Sequence, residues 1–588
     1  MDLFSRFQPV TKADWEAAVS KELKGETAEK LHTRTEDGLA LEPYYSREDL
    51  NPESLQHLPG DRPYRRGLRA NHNDWVIFER LSTLEPEAAN REALHALMQG
   101  AEGLIFEGPV ADAATFGKLT HELLPQYLIL IFRHADPVTL AGWLKAWSET
   151  LELPSIALRG ATGYDPLGDT AFGKTSRLLP LGELVRTYQR ELPGFLPLSV
   201  RVARYREQGA SLVQELGIAL ALGNAYLGRL LDDGLHIDEA TPALQFELST
   251  GTDYFAELVK FRAFRQLWAG LVNAYQPSHS CTAAANVLAV SSTPMLSAID
   301  PHTNLLRLTT AAMSAALGGV HGLELHPFDQ AVNGGSAFGA ELSRNIQLLL
   351  KNEAYLDKVV DPAAGSYYLE SLTDQLSEQA WAFFQRIEAQ GGFEAATQSG
   401  WLMQEVLAHR TQLEQLVATR RKTVVGVNQY PDTRHAGIER HADDSFRLSG
   451  AFEELRAQTA AAARRPKVFL LPIGDLAMRL ARATFAGNFF GCAGYELIEN
   501  NGFASIEEGT TAALASNADI VVLCSSDAEY PALVTDFCQA LRGKTQLVLA
   551  GYPKDEIENY RQQGIQHFIH VKANLLETLQ SFQKILSL

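Results

Sequence analysis

Between residues 103 and 362 short apolar runs recur, separated by stretches with a 3.6-residue apolar rhythm, and this alternation constrains the chain more than any other feature. The runs lie at residues 103–108, 127–132, 155–160, 196–202, 244–250, 286–292, 322–328 and 359–362. Helical spacing is clearest over residues 211–231 and 255–275. Parallel strands need long crossovers and helices supply them, so eight such units in succession predict a closed (β/α)8 TIM barrel, with an open doubly wound sheet as the competing arrangement. Barrel chemistry sits at the carboxyl ends of strands, which makes Glu107, Arg159, Ser249, Ser291, His326 and Asp361 the residues to follow.

A second alternation starts at residue 468. Strands at 468–471, 495–498, 520–524, 547–550 and 567–569 are each followed by a helix, which predicts a flavodoxin-like (Rossmann-like) sheet. Ligands of such sheets bind beyond the strands' carboxyl ends, here residues 472–475, 500–503, 525–529 and 551–553. Four parts follow: residues 1–60, an arm for subunit interaction; 61–390, the barrel; 391–464, a charged helical linker; and 465–588, the sheet domain. The arm, with a short helix over residues 15–23 and the aromatics Phe4, Phe7, Trp15, Tyr44 and Tyr45, has no core of its own, so it lies on the body or wraps a partner. There is no P-loop, no Gly-x-Gly-x-x-Gly fingerprint and no repeat.

A chain of 588 residues is too long for one core, and 46% hydrophobic residues fill more than one. The net charge of -19 repels phosphate backbones and anionic lipid, so neither nucleic acid nor a membrane surface is an expected partner. The strongest apolar run, 123–132, is about half the length that spans a bilayer, and residues 1–10 lack a signal peptide's apolar core. A cytoplasmic protein is expected. Cys281, Cys492, Cys524 and Cys538 are widely spaced, without a Cys-x-x-Cys pair, and read as reduced core residues.

Several motifs are more specific. They are Asp361-Pro-Ala-Ala-Gly-Ser-Tyr-Tyr-Leu-Glu370, Asp300-Pro301-His-Thr-Asn304 with the helix after it, Leu317-Gly-Gly319, the stretch from His326-Pro-Phe-Asp329 to Arg344-Asn345, and Arg465-Pro466. Together they resemble the adenosylcobalamin-dependent acyl-CoA mutases, above all methylmalonyl-CoA mutase, over nearly the whole chain. The resemblance implies a barrel that admits an acyl-CoA thioester along its axis, capped by a sheet domain carrying the cofactor, whose radical chemistry migrates the thioester group between neighbouring carbons.

The departures from that family are equally specific. Its members hold cobalt through the histidine of an Asp-x-His-x-x-Gly loop, whereas here the loop reads Gly474-Asp475-Leu476-Ala477-Met478-Arg479, with no histidine from residue 466 to 566. His567 and His570, in the last strand, are poor substitutes. Leu288 stands where the family has a substrate-binding histidine, and the arginine and tyrosine of an early Trp-Thr-Ile-Arg-Gln-Tyr run are replaced within Trp75-Val-Ile-Phe-Glu-Arg80. No catalytic residue and no metal ligand is therefore expected in this chain. Asp475, Ser525, Ser526, Gly551 and Glu370 are vestigial cofactor-binding candidates, and His326 reads as a histidine satisfied at a strand end. The resemblance then implies a catalytically degenerate chain, inactive alone, that pairs as a heterodimer with a homologous large subunit carrying adenosylcobalamin and acyl-CoA. The alternatives are a self-sufficient mutase, such as one for isobutyryl-CoA, and a non-enzymatic binding module.

Overall fold

The computed structural model describes residues 10–174, 177–434 and 445–588. They fall into two compact units: one comprises residues up to 292 with 307–327 and 337–409, the other 293–306, 328–336 and 410–588.

In the first unit, β1 (Val76–Ser82), β2 (Gly103–Glu107), β3 (Ile129–Arg133), β4 (Arg159–Ala161), β5 (Phe195–Leu196 and Leu198–Arg201), β6 (Leu244–Thr250), β7 (Asn286–Ser291) and β8 (Gly322–Glu324) form one parallel sheet. Phe195–Leu196 pairs with β4 and Leu198–Arg201 with β6, so the two halves of β5 close the barrel on either side of Pro197. Proline has no N–H to give the ladder, and its carbonyl instead accepts from Thr162 Oγ1 at 2.8 Å. Inside, Phe78, Ile105, Ile131, Ala161, Leu288 and Val290 make one apolar cluster. Glycine at positions 103 and 322 is required there. A Cβ on either would meet the Phe78 ring at 2.5 or 2.4 Å.

Two expectations need correction. Residues 359–362 are not a strand: Asp361 has φ +46° and leads through a turn into the helix Tyr367–Ala389. Its carboxylate is held by Arg262 and Arg66, side chains that an ordinary ladder residue would not meet. The missing eighth strand is β1, whose adjacent Glu79 and Arg80 break up the apolar run that marks the others. In β1 the two charges point to opposite faces, Arg80 toward Glu324 of β8 and Glu79 toward Arg344.

The arm's helix, Lys12–Glu22, begins at the capping box of Thr11 and Asp14 and buries no residue. Residues beyond it lie on the barrel unit: Asp37 accepts from the backbone N–H of Leu212 at 2.7 Å, Leu39 is fully buried, and the rings of Tyr45 and Tyr368 meet at 5.2 Å. Trp15 stacks on Tyr44 within the arm, and Phe4 and Phe7 lie outside the described residues.

In the second unit β9 (Lys467–Pro472), β10 (Glu496–Ile498), β11 (Ile520–Cys524), β12 (Gln546–Ala550) and β13 (His567–Ile569) are parallel, in the order β10-β9-β11-β12-β13 of a flavodoxin-like sheet. Both faces are covered. Val468, Leu470, Ile520 and Val522 pack against the helices Leu476–Gly491 and Leu575–Leu586, and the alternate residues Phe469, Leu471, Val521 and Leu523 against Tyr530–Leu541. Cys492, Cys524 and Cys538 are buried, but Cys281 is exposed rather than part of a core, because it lies in a surface turn. No helix among the described residues is long and apolar enough to cross a membrane.

Candidate functional site

The carboxyl end of the barrel is closed by charge. Arg133, the last residue of β3 and almost fully buried, places Nη1 at 2.8 Å from Glu107 Oε2 and Nη2 at 2.6 Å from Glu247 Oε2, with Glu324 Oε2 at 3.6 Å. Arg80 adds a second hold on Glu324, its Nε 2.5 Å from Oε1, and His134 Nε2 meets Glu107 Oε1 at 2.9 Å. Burial opposes ionisation of all three acids and is outweighed: the arginines hold Glu324 at about 2 and Glu247 below the usual carboxylate range, and the His134 hydrogen bond, followed by the arginines, holds Glu107 below it. Burial likewise works against the Arg133 charge, and its three carboxylates raise its pKa nonetheless.

The residues expected at strand ends divide. Glu107 joins the network. Ser291 Oγ lies 2.9 Å from His326 Nδ1 and accepts from its backbone N–H, so His326 is satisfied; burial pushes its ring down to about 4, and the Arg80 charge acts in the same direction. Ser249 turns away from the mouth, its hydroxyl donating to Glu215 on a covering helix. Arg159 opens β4 instead of ending it and stands exposed at the barrel's amino end, because the strand starts four residues later than the apolar run. Asp361 is no strand end. With Glu370 it forms a separate buried node: Arg65 Nη2 lies 2.7 Å from Glu370 Oε2, Arg262 Nη2 2.8 Å from Oε1, and Arg262 Nε 3.0 Å from Asp361 Oδ1. Glu370, fully buried, ties Arg65, ahead of β1, and the helix Tyr254–Ala274 to the helix Tyr367–Ala389. Leu288, 1% exposed, fills the axis one layer below the charges. Sequence reasoning did not single out Arg80, Arg133, Arg201, Glu247 and Glu324. The available signal was a charge inside or ending an otherwise apolar strand, as in Ile-Leu-Ile-Phe-Arg133 and Leu-Ser-Val-Arg201.

At the carboxyl edge of the second sheet, Asp475 caps the helix Leu476–Gly491 by accepting from Met478 N–H at 2.9 Å. Glu529 draws the neighbouring loops together: its Oε2 accepts from Ser525 Oγ at 2.8 Å and Ser526 Oγ at 2.7 Å, and its Oε1 from Asp475 N–H at 3.0 Å. Those donors, Ser526 before Ser525, hold the Glu529 carboxyl at about 2. Gly474, at φ +88°, gives it room, since a Cβ there would meet Glu529 Oε2 at 2.4 Å. Gly551 is overhung by Asp527 and Arg482, themselves paired at 2.9 Å. These residues do not fit a cobalamin held by imidazole. The loop offers no ring nitrogen, and the serine hydroxyls are already spent on Glu529.

A closed barrel followed in one chain by a flavodoxin-like sheet, each sealed at the end where its class takes ligands, is the class of protein that fold and site define. The family model of methylmalonyl-CoA mutase matches residues 134–466. A methylmalonyl-CoA mutase small subunit of Porphyromonas gingivalis is 37% identical over 609 residues, covering 99% of this chain and 98% of the relative. Another, of Streptomyces virginiae, is 33% identical over 582 residues and 94% of both chains. A methylmalonyl-CoA mutase of Cereibacter sphaeroides is 30% identical over 460 residues, 72% of this chain and 65% of that protein. The chain belongs to the methylmalonyl-CoA mutase family.

Proposed function

We propose that this chain is the small, non-catalytic subunit of a heterodimeric methylmalonyl-CoA mutase, supporting the interconversion of succinyl-CoA and methylmalonyl-CoA by a homologous large subunit. The relatives named as small subunits, matched end to end, support the pairing. The observation that carries the division of labour is the loop at residues 474–479: no imidazole is available for cobalt, and Glu529 takes the hydrogen bonds around it. The cofactor would supply radical chemistry where it is bound, and we place it, with the acyl-CoA, on the partner. In this chain Phe78 and Leu288 occupy the axis along which a thioester would thread, and Arg133 with its carboxylates closes the end above them. The proposal includes the division into arm 1–60, barrel 61–390, helical linker 391–464 and sheet domain 465–588, with residues 1–60 serving the subunit interface through the unburied helix Lys12–Glu22.

Equilibrium dialysis of the co-expressed complex tests the reading. One acyl-CoA and one cobalamin per heterodimer are expected, and two of either would make this chain a second active site. Electron paramagnetic resonance of the cob(II)alamin form with nitrogen-15 histidine gives a second check, with no histidine coupling expected from the isolated chain.

A further inference from the structure

Beside the charged mouth, between the carboxyl ends of β3, β4 and β5, lies a polar cavity of about 290 Å³ whose wall includes Arg201. The Arg201 side chain is 9% exposed. Its Nε has no hydrogen-bond partner. The carboxylate oxygen it faces, Glu247 Oε2, is 3.5 Å away and already receives Arg133 Nη2 at 2.6 Å. Two residues earlier on the same strand face, the buried hydroxyl of Ser199 also lacks a partner.

The acids in the cavity wall are committed elsewhere. Asp165 and Asp169 pair with Arg204 at 2.8 and 2.6 Å, and Asp136 caps its helix by accepting from Thr139 N–H at 2.9 Å. A buried guanidinium without its hydrogen bonds bears a desolvation cost that every other arginine of the mouth offsets with a close carboxylate. Burial accordingly pushes the Arg201 pKa down, where the other mouth arginines are raised.

From this geometry we infer that the cavity is a binding site for a small oxyanion, a carboxylate or inorganic phosphate, anchored by the guanidinium of Arg201. An oxyanion offers the planar or tetrahedral acceptors that a guanidinium fork matches, and it would pair with an arginine that Glu247 approaches at 3.5 Å. Phe78 and Leu288 fill the axis beneath, so the site suits a compact anion that enters from the side rather than a thioester that threads the barrel. The site stands whether or not the partner subunit holds the cofactor, because it uses only side chains of this barrel.

The test is calorimetric titration of the full-length chain, in the assembly in which it is purified and free of acyl-CoA and cobalamin, with phosphate and with acetate at constant ionic strength. Saturable binding of one equivalent by either anion is expected, the tighter of the two naming the chemistry, and R201Q should weaken it about tenfold or more. Binding by neither, or equal binding by R201Q, shows an adventitious ion only and overturns the site. Should R201Q fail to fold, crystals of the unsubstituted chain soaked in selenate or bromoacetate decide the matter by anomalous scattering. A peak within hydrogen-bond reach of Arg201 sustains the inference; an empty cavity at saturation removes it.

Discussion

The barrel mouth and the carboxyl edge of the second sheet occupy equivalent places in their folds, the places where α/β proteins take ligands, yet they are closed by different physics. The mouth is sealed by charges drawn from β1, β2, β3, β6 and β8, with Arg133, Glu247 and Glu324 buried at its centre, Glu107 half-buried and Arg80 at the exposed rim. The edge is sealed by one half-buried carboxylate bonded to neighbouring loops, while Leu476 and Leu480 of the adjoining helix remain exposed. A buried network fixes its surroundings because each break leaves an uncompensated charge in a low-dielectric place. A surface network fixes little beyond the loops it joins, since water replaces whatever is lost.

The comparison is broken most forcefully at Arg133. R133M leaves Glu107, Glu247 and Glu324 with one arginine fewer among them and should destabilise the barrel by about 3–5 kcal/mol, read as a lowered denaturant midpoint with unchanged slope. Midpoints equal to the unsubstituted chain would mean that the mouth is hydrated and its charges independent. One layer lower, L288H removes an apolar contact from the axial cluster and buries an imidazole without a partner, at a cost of about 2–5 kcal/mol. It should not create mutase activity. Turnover above that of the unsubstituted protein would show that the axis can be reopened by one residue.

The pH dependence should also differ between the two regions. His326, whose folded pKa of about 4 lies below the ordinary 6.5, must be neutral to stay buried. The unfolded chain therefore binds the extra proton first, so this contribution is complete above pH 6.5 and is lost as pH falls toward 4. His321, at the amino end of β8 and pushed by burial to about 3, behaves in the same sense. The depressed carboxylates of Glu107, Glu247 and Glu324 add stability that is complete above their unfolded value near 4.5 and is lost only as pH falls below it. Between pH 7.5 and 5, H326Q should flatten the stability profile by on the order of 1–2 kcal/mol. An unaltered slope would place the titration elsewhere.

Much of the fold was legible because apolar rhythm is local: nearly every helix and strand of the second sheet is visible in its own dozen residues. Two features were not. β1 carries Glu79 and Arg80 side by side, and only closure of the barrel tells that one faces Glu324 and the other Arg344. The run before Asp361 is apolar and short, like a strand, but its aspartate is held by Arg262, 99 residues away. The site was harder for the same reason. Arg133 and Glu247 are 114 residues apart, and no spacing rule joins them until eight strands have closed into a ring. The absence of a histidine in residues 474–479, by contrast, is written in the sequence, while the use of Glu529 to hold that loop is not.

Glu529 supplies the smallest expected effect and the sharpest contrast with Arg133. E529Q keeps the shape of the side chain but removes the charge that gathers Ser525 Oγ, Ser526 Oγ and the Asp475 N–H. The Asp475 N–H lies at the surface and Ser526 is half-buried, so water can take over their bonds, while the buried Ser525 hydroxyl can still donate to the amide oxygen of the glutamine. The global denaturation midpoint should therefore move far less than in R133M. The loops should respond instead. Amide resonances of Gly474, Asp475 and Ser526 are expected to shift and their hydrogen exchange to quicken, while amides of β9 and β11, covered on both faces, keep their protection. If E529Q lowers the midpoint as far as R133M does, the edge is as tightly coupled as the mouth, and the division between a buried seal and a surface latch fails.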